Sequence, residues 1–154
     1  MSILKKCLLS FLLIFTAQVH ASILQNNPET LTLTIVNHTS SMLSFAGIDH
    51  SQPGNTFQLG ITEILPGGSS TLTATSNALF GITANLYFRD NQGNKNLLTI
   101  KDPRQLNTKS YGDFAMNNER FVSFVKMQSV NRDPNPNSLT WTAATIEIED
   151  KINV

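Results

Sequence analysis

The sequence predicts an all-β protein, an antiparallel β-sandwich of about eight strands, with a closed barrel as the alternative architecture. Beyond position 22, apolar residues recur with a period of two rather than with the helical period. Turn-forming residues separate these alternating segments at intervals of about ten to twelve residues. No segment has the apolar spacing of an amphipathic helix of three turns.

Residues 1–21 have the organisation of a secretory signal peptide. Two lysines precede an apolar run over residues 7–17, and Val19-His20-Ala21 then provides a site for signal peptidase. An uncleaved anchor is disfavoured, because a spanning helix needs about 20 apolar residues. We therefore expect residues 22–154 to form a single domain that is periplasmic or secreted and has no transmembrane segment.

Composition excludes several functional classes. Cys7 is the only cysteine and lies in the predicted leader, so the domain would contain no disulfide and no cysteine-ligated metal. Eleven Lys and Arg residues balance eleven Asp and Glu residues, and no basic run is present. This charge pattern argues against nucleic acid as a partner and against purely electrostatic attachment to anionic lipid.

The first half of the domain contains four alternating segments. Leu31, Leu33 and Ile35 alternate with threonines, which is typical of a half-buried strand. Short strands are expected over three further segments, at residues 42–46, 57–64 and 70–75. The turn at Leu65-Pro66-Gly67-Gly68 separates the last two of them, since proline fixes one dihedral angle and glycine accepts a positive φ.

The clearest central strand covers residues 81–89, with Phe88 on its apolar face and Tyr87 on its polar face. A hairpin loop with a glycine at position 93 follows, and residues 97–100 form the return strand. Residues 104–118 are polar and are expected to form turns.

Two strands complete the predicted fold. Residues 121–130 have apolar residues on both faces, which predicts burial on both sides. In residues 139–148 the inward phase begins with Leu139, Trp141 and Ala143 and slips by one residue at Ala143-Ala144, which predicts a β-bulge there. Phe88, Phe121 and Trp141 are expected in the core.

No catalytic or metal-binding pattern stands out. Beyond the leader, the histidines are His38 and His50, both in predicted turns, and no nucleophile elbow is present. The alternative of a small hydrolase would use carboxylates in loops, at Asp90, Asp102, Asp113 and Glu119. We expect no enzyme activity and no cofactor.

Two further sequence patterns match a calcium loop and a glycosylation site only weakly, and each also fits an ordinary turn. Asp90-x-Gln92-x-Asn94 offers oxygen ligands but lacks the distal glutamate of a calcium loop, so a plain hairpin is favoured. Asn37-His38-Thr39 fits a glycosylation acceptor, although Asn37 also suits the turn after a strand.

Exposed aromatic side chains are the best candidates for a contact surface, because sandwiches without catalytic groups grip sugars or lipids with them. Tyr87 lies on the polar face of its predicted strand, and Tyr111 and Phe114 lie in a polar loop. These three residues are the predicted binding site.

The order of strands and turns resembles the aegerolysins over about residues 31–103. The similarity rests on a strand ending in Asn37-His38-Thr39, on Ile64-Leu65-Pro66-Gly67-Gly68-Ser69-Ser70, on Ser76-Asn77 before Gly81-Ile82, and on Leu86-Tyr87-Phe88-x-Asp90-x-x-Gly93. The resemblance implies a compact β-sandwich that recognises membrane lipids, in some members together with a pore-forming partner. The family's stretch containing tryptophan and cysteine is absent after the hairpin, and only Thr140-Trp141-Thr142 offers a late tryptophan. No lipid contact is therefore assigned to a residue.

The preferred hypothesis is an exported, non-enzymatic binding module that contacts a lipid, glycan or protein surface through loops at one end of a sandwich. An alternative is a structural or assembly subunit held by strand addition at an open sheet edge, with residues 22–29 as one donor or acceptor segment. The sequence leaves the oligomeric state open.

Overall fold

The computed structural model describes residues 28–49, 51–77, 81–103, 111–132 and 139–151. These residues form ten β-strands and no helix. The strands are β1 (Glu29–Asn37), β2 (Leu43–Asp49), β3 (Asn55–Leu59), β4 (Glu63–Ile64), β5 (Ser69–Ser76), β6 (Ile82–Arg89), β7 (Lys95–Asp102), β8 (Asp113–Ala115), β9 (Phe121–Asn131) and β10 (Thr140–Asp150).

The strands form two five-stranded sheets, which confirms the predicted all-β sandwich. The first sheet has the order β3-β5-β1-β10-β9, and the second has the order β4-β2-β6-β7-β8. The pair β1–β10 is parallel, whereas the other strand pairs are antiparallel. The prediction of about eight strands joined β3 and β4 in one segment, residues 57–64, and placed β8 among turns, because strands of two or three residues are too short to show an alternating pattern.

Alternating side chains fill the space between the sheets. In β1, Leu31, Leu33 and Ile35 are fully buried, while Thr32 between them is exposed. In β6, alternate residues from Ile82 to Phe88 are buried in the same way. The large side chains of the core come from both sheets and include Phe88, Phe114 and Phe121.

The outer face of the first sheet carries threonines in register. Thr30, Thr32 and Thr34 of β1 pair with Thr75, Thr73 and Thr71 of β5. Each pair places two β-branched side chains opposite one another on the pleated surface, where such residues pack well. The threonines that alternate with apolar residues in the sequence thus cover the solvent side of the sheet.

The prediction that Leu139 and Trp141 face the core is wrong, since Leu139 is exposed just before β10. β10 alternates without a slip, so Thr140, Thr142 and Ala144 point inward and Trp141 is 37% exposed. The irregularity lies in the pairing of β10 with β9, between Thr145 and Ile146. Because Ala143 and Ala144 are both small, the sequence is compatible with either set of alternate residues facing inward. The pairing with β1 selects the set that buries Thr140 and Thr142.

The prediction that β9 is buried on both sides is also wrong. β9 is the edge strand of the first sheet, and its middle residues are exposed. Phe121 alone among its large apolar side chains is fully buried, as predicted. An apolar run of this kind is typical of a central strand. Among the described residues, however, the outer side of β9 meets only an isolated bridge from Asn117 to Val122.

Asn37 is a structural turn residue at the end of β1. Its Nδ2 donates to the carbonyls of Ser41 and Ile64, each at 2.8 Å. Its Oδ1 accepts from the amide and the hydroxyl of Thr39, at 3.0 and 2.7 Å. The side chain is fully buried, so the folded protein does not present this amide as a glycosylation acceptor.

A buried guanidinium joins the two sheets at the opposite end of the sandwich. Arg132 follows β9, and its Nη1 lies 3.0 Å from Oε1 of Glu29 at the start of β1. Its Nη2 lies 2.7 Å from Oδ1 of Asp102, at the end of β7, and donates to the Thr142 hydroxyl at 2.7 Å. Arg132 thereby connects β1 and β10 of one sheet to β7 of the other.

Two buried carboxylates share this one guanidinium. Burial raises the pKa of Asp102, and the positive charge of Arg132 with the hydrogen bonds of Thr142 and Arg132 offsets this only in part. Removal of the cation would leave both carboxylates buried without their counter-charge, which is far more costly than the loss of an exposed ion pair.

We expect Arg132→Met to lower the free energy of unfolding by about 3–5 kcal/mol, because it leaves the carboxylates of Glu29 and Asp102 buried without a cation. Urea denaturation followed by circular dichroism measures this change. Lys126→Met is the matched control, because its ammonium pairs with Glu147 at the surface, and its midpoint should stay close to wild type. Equal midpoints for the two variants would contradict the structural role of Arg132.

Candidate functional site

The three predicted site residues do not come together in the structure. Tyr87 lies on the outer face of the second sheet, where Nζ of Lys95 lies 3.5 Å from its ring centroid. A hydrogen bond with Asp49 raises the pKa of the Tyr87 hydroxyl. Tyr111 precedes β8 and is 59% exposed.

Phe114 is not a surface residue, which corrects the expectation that it contributes to a contact surface. It is 2% exposed, because β8 alternates and turns Phe114 inward between Asp113 and Ala115. Gly112 allows this packing, since a Cβ atom at that position would lie 2.6 Å from Cζ of Phe114. The polar sequence around Phe114 concealed a short strand.

Exposed apolar side chains gather instead on β9 and the adjoining part of β10. We call this the β9–β10 surface, defined by Phe124, Met127 and Trp141. Val125 is also exposed, but it pairs with the inward-facing Ile146 and therefore lies on the other face of β9. Exposure reaches 46% for Phe124 and 61% for Met127. The pairing of β9 with β10 places Phe124, Met127 and Trp141 on the outer face of the first sheet. The sequence signal for this surface is the presence of apolar residues on both faces of β9, a pattern that ordinarily predicts burial on both sides.

Lys126 interrupts the open edge of β9. The register with β10 passes from Met127 to Val125, which leaves Lys126 as the extra residue of a bulge. Its Nζ lies 2.9 Å from Oε2 of Glu147, and this hydrogen bond raises the pKa of Lys126. A bulge and a lysine are two of the devices that protect edge strands from pairing with another chain.

A polar cleft lies at the hairpin end of the sandwich, at the far end of β9 from Arg132. We call it the hairpin cleft. Its volume is about 260 Å³ and its lining comes from two segments, 94–96 and 118–120. The lining residues are Asn94, Lys95, Asn96, Asn118, Glu119 and Arg120.

Asp90 organises the hairpin beside this cleft. Its Oδ1 accepts hydrogen bonds from the amides of Gln92 and Asn94, at 2.9 and 3.0 Å. Its Oδ2 forms a short ion pair with Nη1 of Arg120. Burial acts to raise the pKa of Asp90, but the hydrogen bonds from Asn94 and Gln92 and the charge of Arg120 outweigh it, so the pKa lies below its ordinary value.

Asparagine amides hold the two cleft segments together. Nδ2 of Asn118 donates to Oδ1 of Asn96 at 2.9 Å, and Nδ2 of Asn96 donates to the carbonyl of Asn94 at 3.0 Å. Oδ1 of Asn118 accepts from the amides of Arg120 and Phe121, each at 2.8 Å. These bonds fix the cleft without any ligand.

The chemistry considered for an enzyme or a metal is not assembled among the described residues. His50 lies outside them, and His38 is exposed with Nε2 3.8 Å from Oε1 of Glu147. Asp90 and Asp102 are each engaged by an arginine. Within the described ranges, no cluster of three His, Cys, Asp or Glu residues fits a metal ion. In the same ranges, no helix has the length and hydrophobicity to cross a bilayer.

Comparison with known proteins supports the fold. No protein-family model matches the chain, and no curated protein matches it. The crystal structure of RahU, an aegerolysin-like protein, in complex with a TRIS molecule is similar with a TM-score of 0.52 and 10% identity, over 84% of this chain and 99% of RahU. IP-1A from Alcaligenes faecalis aligns with a TM-score of 0.42 and 13% identity, over 83% of this chain and 94% of IP-1A. The resemblance to aegerolysins therefore holds at the level of the fold.

We expect Asp90→Asn to destabilise the protein in a pH-dependent way. Because folding lowers the pKa of Asp90, its contribution is fully present above its ordinary pKa of 3.8 and is lost as the pH falls through the folded value. The variant should thus be less stable than wild type near neutral pH, and the difference should shrink in acid.

Urea denaturation at about pH 7 and about pH 3 measures this difference. Asp113→Asn is the control, since Asp113 is exposed on β8. A difference that stays constant between the two pH values would contradict the ionised state of Asp90.

Proposed function

We propose that this chain is a non-enzymatic binding module that acts outside the cytoplasm, after removal of residues 1–21, and attaches to a lipid surface. The observation that carries this proposal is the β9–β10 surface, where Phe124, Met127 and Trp141 are exposed on one face of the sandwich. Exposed apolar patches of soluble proteins mark sites of contact with proteins, ligands or membranes.

Lipid suits this surface better than the other candidate partners. A glycan would need unpaired polar groups beside the aromatic rings, whereas Phe124 and Met127 are apolar and the nearby Lys126 and Glu147 already pair with each other. Addition of a strand from another protein would need a continuous edge, and the bulge at Lys126 interrupts it. Aromatic side chains with a nearby lysine are favourable at the boundary between headgroups and acyl chains.

The fold is consistent with this function. RahU, which shares the fold, is aegerolysin-like, and the sequence resemblance to aegerolysins implies lipid recognition. In this proposal the contact surface lies on two strands rather than on the loops that contain Tyr111.

We expect the double variant Phe124→Ser, Met127→Ser to reduce binding to phosphatidylcholine vesicles at least tenfold, because each change removes apolar area from the membrane contact. Vesicle co-sedimentation of the purified protein measures the binding. Tyr111→Ser is the matched control, since it removes an exposed aromatic ring elsewhere and should leave binding unchanged.

Thermal melts of the three proteins should agree closely, because all the altered side chains are exposed. Two results would overturn the proposal, namely wild-type protein that does not sediment with vesicles and a double variant that binds as tightly as Tyr111→Ser.

A further inference from the structure

The hairpin cleft contains a guanidinium that is held along one edge only. Nη1 of Arg120 forms the ion pair with Asp90 and donates to Oε1 of Gln92 at 3.1 Å. Nε and Nη2 have no hydrogen-bond partner among the described residues, and Arg120 lines the cleft. The Nε–Nη2 edge of an arginine is a two-donor fork that matches the two oxygens of a carboxylate or a phosphate.

The position of this fork is fixed before any ligand binds. The side chain of Asp90 is fully buried, and its carboxylate pairs with Nη1 of Arg120 on the side away from the Nε–Nη2 edge. Cζ of Arg120 also lies 5.2 Å from the ring centroid of Phe121. The backbone amide of Arg120 donates a hydrogen bond to Oδ1 of Asn118. A guanidinium restrained in this way loses little conformational entropy when it binds an anion.

Three further groups of the cleft remain available to a ligand. Lys95 carries a second positive charge, held over the Tyr87 ring. Glu119 is exposed and lines the same cleft. Oδ1 of Asn94 accepts no hydrogen bond from the described residues, because only the Nδ2 and backbone groups of Asn94 are engaged. The cleft therefore offers donors for an anion and acceptors for hydroxyl groups.

We propose that the hairpin cleft binds an acidic sugar residue, with its carboxylate on the Nε–Nη2 edge of Arg120 and near Lys95. The sugar hydroxyls would donate to the carboxylate of Glu119 and to Oδ1 of Asn94. The cleft volume of about 260 Å³ lies just below the range of about 300–1,000 Å³ that holds drug-sized molecules. Such a volume suits a single sugar ring.

An acidic sugar fits the charges better than a phosphate does. With Asp90 ionised, the charges of Asp90 and Glu119 balance those of Lys95 and Arg120. The dianion of a simple phosphate monoester such as methyl phosphate has no O–H donor for the carboxylate of Glu119, whereas a sugar carries hydroxyl donors for that position. This site is separate from the β9–β10 surface, and its occupancy does not depend on attachment to lipid.

The test compares two ligands that differ only in the charged group, methyl β-glucuronide and methyl β-glucoside, by isothermal titration and by NMR of the labelled protein. We expect the glucuronide to bind at least tenfold more tightly and to shift the side-chain amide signals of Asn94 and Asn118. Methyl phosphate serves as the competing anion without hydroxyl groups.

Three variants locate the contact. Arg120→Lys keeps the charge but lacks the fork, and it should lose most of the preference for the glucuronide. Glu119→Gln and Lys95→Gln leave the ion pair between Arg120 and Asp90 intact, so they test the cleft even if Arg120→Lys destabilises the protein. Each should weaken glucuronide binding severalfold. Lys101→Gln, on the same strand as Lys95 but outside the cleft, should bind like wild type.

Three results would overturn the proposal. They are equal affinity for the glucuronide and the glucoside, tighter binding of methyl phosphate than of the glucuronide, and glucuronide-induced shifts that lie away from the cleft. Vesicle binding by the β9–β10 surface is unaffected by any of them, so the two proposals fail or succeed separately.

Discussion

The guanidinium of Arg132 lies where the two sheets meet and is held between Glu29 and Asp102. Because the domain has no disulfide, packing and such polar contacts must fix one sheet on the other. The core alone is compatible with small shifts of one sheet over the other, since apolar contacts are not directional. The charged cluster is directional, and it sets the positions at which β1, β7 and β10 begin or end.

Polar networks of different design hold the two ends of the sandwich. At one end, Arg132 is enclosed and serves the fold, because its neighbours surround it. At the other end, Asp90 holds Arg120 from one side only, and asparagine amides join the neighbouring segments. The same pairing of arginine with carboxylate therefore encloses the guanidinium of Arg132, whereas it leaves the guanidinium of Arg120 partly open to the cleft.

The edge of the first sheet exposes apolar side chains to solvent, which is unfavourable and uncommon on protein surfaces. Phe124 and Met127 are exposed on β9, on a sheet face where polar residues ordinarily meet solvent. The bulge at Lys126 limits pairing with other strands while it leaves the side chains accessible. This combination is expected of a surface that contacts a partner through side chains rather than through the backbone.

The sequence by itself determined the class of fold, most strand positions, the hairpin at Gly93 and the inward faces of β1 and β6, because a period of two is a local property of the chain. Tertiary structure decided what depends on neighbours. Trp141 is exposed because pairing with β1 sets the phase of β10. β9 is exposed because it is the edge strand of its sheet in the part of the chain that the structure describes. Phe114 is buried because a short strand completes the second sheet. The hairpin cleft arises from segments about 25 residues apart, and no local pattern joins Asp90 to Arg120.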